Sequence, residues 1–487
     1  MYLMAFPLRT LCAYALLLVS SVPVGAQTNG QGTAVGSAAP VPQPRSSALI
    51  YDSDYPYIDY AGTPVHNDIA RLQARIARGE VKLEYRAPRG YLESILKALG
   101  IDPSSQSLVF SKTSLQVDAI SRETPRAIYF NDDTYVAWVQ GTGNLEMVTM
   151  DSDRGPVFYT LAGEGAKPQW ERETLRCLAC HDSSSEKGGG VPQFLFLSSY
   201  TLQNEQVIFD GVANMTTDAT PMVERWGGWY VTGNDGGMLH LGNIPVSDKR
   251  KPVKLDRAYR GSVASLSTLF DTTPYLSDKS DIVALLVLEH QVDVHNLIIH
   301  ANYKSRMFLE RQAPGASRAN LHWQQLTPGT QKWMKSLLEP LVKGMLLVDA
   351  ARLPKSIAST SGFSAFFQSR GPRDAQGRSL RDLDLNTRLF RYPMSFLVYS
   401  EGFDFLPPSA KEYVYSRFAD ILQGRDQGPE YARLSASDRR AVLEILQQTK
   451  PDFARALKRG LNATDAVTPS DAVARLSEGE TQPRSER

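Results

Sequence analysis

A chain of 487 residues with three cysteines sets two of them three apart, in the pentapeptide CLACH at 177–181. No other feature narrows the choices for a segment of this chain so sharply. The third thiol, Cys12, lies in MYLMAFPLRTLCAYALLLVSSVPVGAQ, where Arg9 precedes an apolar run from 11 to 22. Val24-Gly25-Ala26 then offers small residues for cleavage before Gln27. The pattern predicts a secretory signal peptide over 1–26, with a run too short to span a bilayer. Cys12 is expected to leave with it, so the exported chain keeps two thiols, both in CLACH. No other segment reads as a run of about 18 apolar residues, so no membrane span is expected in the mature chain.

Four chemistries use a cysteine pair at this spacing. A disulfide across two residues closes a tiny loop and constrains little, although export permits it. A thioredoxin-like dithiol wants the pair at a helix N-terminus directly after a buried strand, and the preceding KPQWERETLR is polar and charged. Zinc wants four ligands, and no further cysteine is left to complete such a set. The remaining reading is C-x-x-C-H as a c-type haem attachment site. Two thiols on one helical turn add to the two vinyl groups of one porphyrin. His181 then lies beneath the iron as proximal ligand. One covalent haem c on Cys177, Cys180 and His181 is the expectation.

The surroundings agree with a globular exported protein. A formal net charge of +1 gives no electrostatic case for nucleic acid. Residues 27–47 are small, polar and Pro-rich, as a flexible linker is, and 463–487 lack aromatics, as a disordered tail does. GYLESILKALG carries helical spacing with Gly100 as its C-cap. RAIYFNDDTYVAWVQG and LEMVTMDSDRGPVFYTL read as hairpins turning at Asn131-Asp132-Asp133 and Asp153-Arg154-Gly155. After about position 270 the pattern turns helical. DIVALLVLEHQVDVHNLIIHANY is apolar on nearly every face, as a central buried helix is. Thr327-Pro328 opens another helix, kinked at Pro340, and capping-box patterns at Ser409 and Ser435 open two more. The fold class expected is α+β: a β-rich haem-binding region over 48–270, then a helical region over 271–462.

Pro192 falls eleven residues after His181, behind Gly188-Gly189-Gly190. The arrangement resembles class I cytochromes c, which implies that a backbone carbonyl at this proline accepts the proximal imidazole N–H and fixes its tautomer. More widely the chain resembles a group of large exported bacterial single-haem proteins described as cytochrome c domain-containing. That likeness rests on SLVFSKTSLQ, RAIYFNDDTYVAWV, GPVFYTL, CLACH, ERWGGWYVTG, LEHQVDVHN and TRLFRYPMSFLVYSEGFD. It implies haem and export without naming a reaction. Met394 is a departure, standing where the resemblance implies a cysteine.

Function then depends on the sixth iron ligand. Methionine favours electron transfer at raised potential, a second histidine usually lowers the potential, and an open site permits peroxide or oxygen chemistry. Met215, Met222, Met238 and His240 lie on probable turns beyond the motif, and Met215 and His240 are the distal candidates carried forward. His290, His295 and His300, spaced by five, step around a helix and cannot converge on one metal; each has an alternative reading as a core histidine. Arg225 could pair with a haem propionate, and Trp226, with Trp229 and Tyr230, could wall the haem plane or pack in the core. GxSxG, HExxH, P-loop and strand-linked GxGxxG patterns are missing. The expectation is a periplasmic monohaem electron carrier with a redox partner protein. A haem c peroxidase or oxygenase, or a haem-bearing subunit of a larger complex, is the alternative.

Overall fold

In β2 (Arg126–Phe130), alternate residues Ala127 and Tyr129 point inward and are fully buried, while Ile128 between them is only half-buried. Such alternation builds a sheet with one face on the core. The computed structural model describes residues 57–62, 64–162, 167–182, 191–199, 201, 214–244, 261–317 and 320–459. The expected signal peptide, linker and tail lie outside these.

Two short helices, α1 (Asp68–Ala77) and α2 (Leu92–Leu99), come first, and Gly100 ends the second with φ of 65°. The sheet follows as β1 (Ser107–Val109), β2, β3 (Thr134–Trp138), β4 (Leu145–Asp151), β5 (Gly155–Ala162) and β6 (Gln169–Glu173). It is an antiparallel meander in sequence order, so β6 is an edge. Both expected hairpins form, each closed by an acidic or amide side chain. Asn131 Oδ1 accepts the N–H of Asp133 and Thr134 at 3.1 and 2.8 Å. Asp151 Oδ1 accepts those of Asp153 and Arg154, both at 3.1 Å. This is the local hydrogen bonding that makes Asn and Asp turn formers.

Beyond the sheet come the one-turn α3 (Leu178–His181) and a two-stranded ribbon of β7 (Leu197–Ser198) and β8 (Asn214–Met215). The helical half holds α4 (Ile282–Gln312), α5 (Pro328–Met345), α6 (Phe363–Ser369), α7 (Glu401–Asp404), α8 (Pro408–Leu422), α9 (Ala436–Thr449) and α10 (Pro451–Lys458). The fold class is therefore α+β, as expected. One hydrophobic core runs from Ile58 to Phe453 and crosses the boundary drawn at 270.

Helix α4 is the spine of that core. Asp281 caps its start by accepting the Val283 N–H at 2.9 Å, and its other oxygen holds Ser359 and Thr360, each at 2.8 Å. Along its length α4 reads both hairpin turns. Gln291 Nε2 donates to Asn131 O and His295 Nε2 to Asp132 O, both at 2.9 Å; Tyr303 donates to Arg154 O at 2.9 Å. Gly155, at φ of 70°, lies so near α4 that a Cβ would stand 3.0 Å from Ile299.

Helix α4 is long and apolar enough to cross a bilayer, and 83% of its most apolar 18-residue window is buried inside the protein. One sequence expectation is corrected, at Ser409. It lies inside the first turn of α8, behind an N-cap at Pro407 that makes no side-chain cap bond. Ser435, by contrast, caps α9 through the Asp438 N–H at 3.0 Å.

Candidate haem attachment site

The site begins where the exposed edge strand stops. Glu173, at the end of β6, accepts from Thr160 Oγ1 and from Arg176 Nε, both at 2.9 Å, which pins the chain as it leaves the sheet. The backbone then makes a single helical turn. Ala179 N–H donates to Leu175 O at 3.0 Å, His181 N–H to Cys177 O at 3.0 Å and Asp182 N–H to Leu178 O at 2.9 Å. On such a turn residues three and four apart share a side. Cys177 and Cys180 are therefore neighbours, and His181 follows Cys177 by one turn.

Both thiols are free, Cys177 half-buried and Cys180 exposed. Burial, with Glu173 and Glu146 nearby, pushes the Cys177 thiol up to about 12 against the pull of Arg176. Exchange-active dithiols instead hold a depressed thiol. The pair does follow a strand, but β6 ends at Glu173, its only buried residue, and lies at the sheet edge, not in a buried centre.

His181 is the most constrained group here. Its Nδ1 lies 2.8 Å from Gln193 O. A carbonyl only accepts, so Nδ1 carries the proton and Nε2 carries the lone pair. Gln193 N–H donates back to His181 O at 2.9 Å, and the ring meets Phe158 at 4.5 Å between centroids. Burial depresses the imidazole to about 4, with the Gln193 bond opposing and the Arg126 charge assisting. Neutral imidazole is the metal-binding form. Nε2 has no hydrogen bond among the described residues.

The acceptor is thus the carbonyl of Gln193, and the expectation that placed it at Pro192 shifts by one residue. Asn296 on α4 holds this stretch of chain. Its Oδ1 accepts Phe194 N–H at 2.8 Å and its Nδ2 donates to Phe194 O at 2.9 Å. Phe194 also packs on Tyr135 and His295, at 5.1 and 5.5 Å. Sequence reasoning missed Gln193 and Asn296. The one available signal was the polar run EHQVDVHN inside a buried helix.

The remaining residues singled out from sequence have other partners. Arg225 is buried: its Nη1 bonds Glu289 at 2.7 Å, its Nε bonds Thr220 O at 2.9 Å, and the second amino group bonds Asp218 O at 2.9 Å. Its donors are committed within the core, where no propionate is needed to satisfy them. Burial lifts Glu289 to about 7 against this pairing. Trp226 is fully buried and meets His240 edge-on at 5.0 Å. Trp229 stacks on Phe196 at 4.2 Å and donates to Leu197 O at 2.8 Å, so these aromatics pack around the ribbon.

His240 is fully buried, and both its nitrogens are engaged. Nδ1 accepts Gly242 N–H at 3.1 Å, and Nε2 faces Asp235 and Ser262, each at 3.4 Å. Burial would raise Asp235, but hydrogen bonds from His240 and from the Ser262 and Gly237 N–H groups hold it below the usual carboxylate range. Met215 pairs with Leu197 on the ribbon, half-buried, along the chain that leads on from Gln193. Met238 and Met222 are core residues, and Met394 is fully buried. His295 contacts Phe194 and donates from Nε2 to Asp132 O, while its Nδ1 is buried without a partner among the described residues.

His290 bonds Asp218 at 2.7 Å and Ser395 Oγ at 2.8 Å. The order resembles a nucleophilic triad. Ser395, however, has no exposed surface and also receives the Leu397 N–H at 3.3 Å. The trio clamps α4 to the segment before α7. Among the described residues no group of three or more His, Cys, Asp or Glu is placed to hold a metal ion. A haem iron asks the protein for only one or two ligands.

The chain matches no protein-family model, no curated protein and no solved structure. The likeness drawn from the sequence therefore rests on the quoted motifs.

Proposed function

We propose that the protein is an exported monohaem c-type cytochrome, with haem on Cys177 and Cys180 and His181 as proximal ligand, carrying single electrons in periplasmic redox chemistry. The observation that carries the reading is the Nδ1–H bond from His181 to Gln193 O at 2.8 Å. It sets the tautomer that leaves Nε2 free to bind iron, beside two unpaired thiols on the same turn. When bound, the haem supplies a one-electron couple whose potential follows its axial ligands. The chain's own part is to hold the imidazole neutral, orient it from behind through Gln193 and Asn296, and present Cys180 at the surface. Leu175, 81% exposed two residues before Cys177, offers apolar surface to a redox partner protein at this edge.

A second reading has an observation in its favour. His240 and His290 spend both ring nitrogens on other partners, so neither presents a free nitrogen to the position opposite His181. An open position would make the protein a haem c peroxidase or oxygenase. Absorption spectra of the purified mature protein separate the two. A low-spin spectrum, lost in Met215→Ala and unresponsive to carbon monoxide in the wild type, supports the carrier. A high-spin spectrum that responds to carbon monoxide supports the enzyme.

A further inference from the structure

On α4 and the helical half, away from CLACH in the sequence, the loops around α5 and α9 enclose a cavity of about 270 Å³. One wall is apolar, formed by Leu286 of α4 with Leu347, Leu389 and Phe390. Six charged side chains also line it, and they are unequal in sign. Four guanidinium groups, of Arg225, Arg352, Arg388 and Arg433, line it against two carboxylates, of Asp218 and Asp438.

Pairing removes part of this charge. Arg225 is matched by Glu289 beneath it at 2.7 Å. Arg388 grips Asp438 with both amino groups, at 2.7 and 3.2 Å. His290, beneath Asp218, can only add to the positive side. Two cations are left over. Arg352 is exposed and has no carboxylate partner among the described residues. Arg433 is likewise without one and is held at the rim by its bond to Ala350 O at 3.0 Å.

We propose that this cavity binds a small amphipathic organic acid, with its carboxylate between Arg352 and Arg433 and its hydrocarbon body on Leu286, Leu389 and Phe390. An inorganic anion would leave the apolar wall unused, and a neutral hydrocarbon would leave the unmatched guanidinium groups unused. Guanidinium groups bind carboxylates through paired, charge-assisted bonds. The volume lies just below the usual small-molecule range, which suits an acid no larger than a single ring or a short chain. The site is independent of the haem reading, since none of its lining residues is in CLACH or bonded to it.

The test is calorimetric titration of the intact mature protein with phenylacetate, phenylacetamide and inorganic phosphate, at low salt. Saturable one-to-one binding of phenylacetate is expected, with phenylacetamide and phosphate weaker by about tenfold or more. The double substitution Arg352→Ala/Arg433→Ala should weaken phenylacetate by a similar factor without moving the thermal midpoint. Arg440→Ala, at an exposed arginine outside the cavity wall, should change nothing. Equal binding of the acid and the amide, equal binding of phosphate, no saturable binding, or an unaffected double variant would each overturn the proposal.

Discussion

Replacing Asn296 with leucine tests how the proximal histidine is held. The substitution keeps the branching and heavy-atom count of the side chain and removes both bonds to Phe194, the one accepted at 2.8 Å and the one donated at 2.9 Å. A backbone N–H and a backbone C=O then lose their partner beneath the sheet edge. Each such loss costs roughly 1 kcal/mol, and more where water cannot reach, so the variant should be less stable by about 2 kcal/mol. The effect should extend to the iron, because Phe194 follows the carbonyl that receives the His181 proton. A looser acceptor weakens the Nδ1–H bond and makes the imidazole a poorer donor, so ferric iron is less well stabilised and the reduction potential rises. Urea unfolding reads the first effect and spectroelectrochemistry the second. If Asn296→Leu unfolds at the wild-type urea midpoint and leaves the potential unchanged, the account of how α4 holds the site is wrong.

Single substitutions at four other positions probe the frame around it. Burial, together with the charge of Asp218, raises Asp293 to about 6 from an ordinary 3.8. A raised carboxyl favours folding at low pH and loses that contribution as pH climbs through about 6. Asp293→Asn should therefore gain on the order of 2 kcal/mol above pH 7 and flatten the stability profile between about 4 and 6; an unchanged profile in urea titrations would contradict the assignment. Arg225→Met strands the buried Glu289 and should cost about 3–5 kcal/mol, most of it recovered in Arg225→Met/Glu289→Gln; a loss that the double variant does not recover would count against a core ion pair. Ser435→Ala should cost about 1 kcal/mol as a lost cap. Ser409→Ala, whose Oγ is buried without a partner among the described residues, should be neutral or stabilising, and an equal loss at both serines would refute the distinction.

What the sequence made legible follows from the range of the forces involved. Gly100 as a C-cap, the two hairpin turns and the buried α4 are each specified within a dozen or so neighbouring residues, by backbone sterics or by hydrophobic period. The turn that aligns Cys177, Cys180 and His181 is equally local. Ser409 shows the limit even at short range. Its capping pattern matches Ser435's, but the two prolines before it start α8 two residues earlier and place the serine inside the helix. The carbonyl that accepts the His181 N–H is that of Gln193, one residue beyond Pro192, because spacing locates a loop more easily than it orients one peptide. Arg225 and His240 are candidate haem contacts in the sequence because charge and imidazole in a glycine-rich stretch suggest a free site. Each has partners in the fold that the sequence does not show. Glu289 lies 64 residues away in sequence from Arg225, and Ser262 lies 22 from His240. Asn296, which holds the Phe194 backbone from 102 residues away, was invisible for the same reason.

The central claim is a covalent bond between this chain and one haem, and the pyridine haemochrome of the mature protein after acid–acetone extraction tests it directly. Produced in cells that export it and assemble haem c, the protein should retain its haem through extraction, at one per chain. The reduced pyridine spectrum should be that of a haem saturated at both vinyl groups. Cys177→Ala and Cys180→Ala should each shift that spectrum towards a single thioether, and the double variant should lose its haem to the solvent. A wild-type protein that emerges colourless, or haem that stays attached to the double variant, would contradict the account.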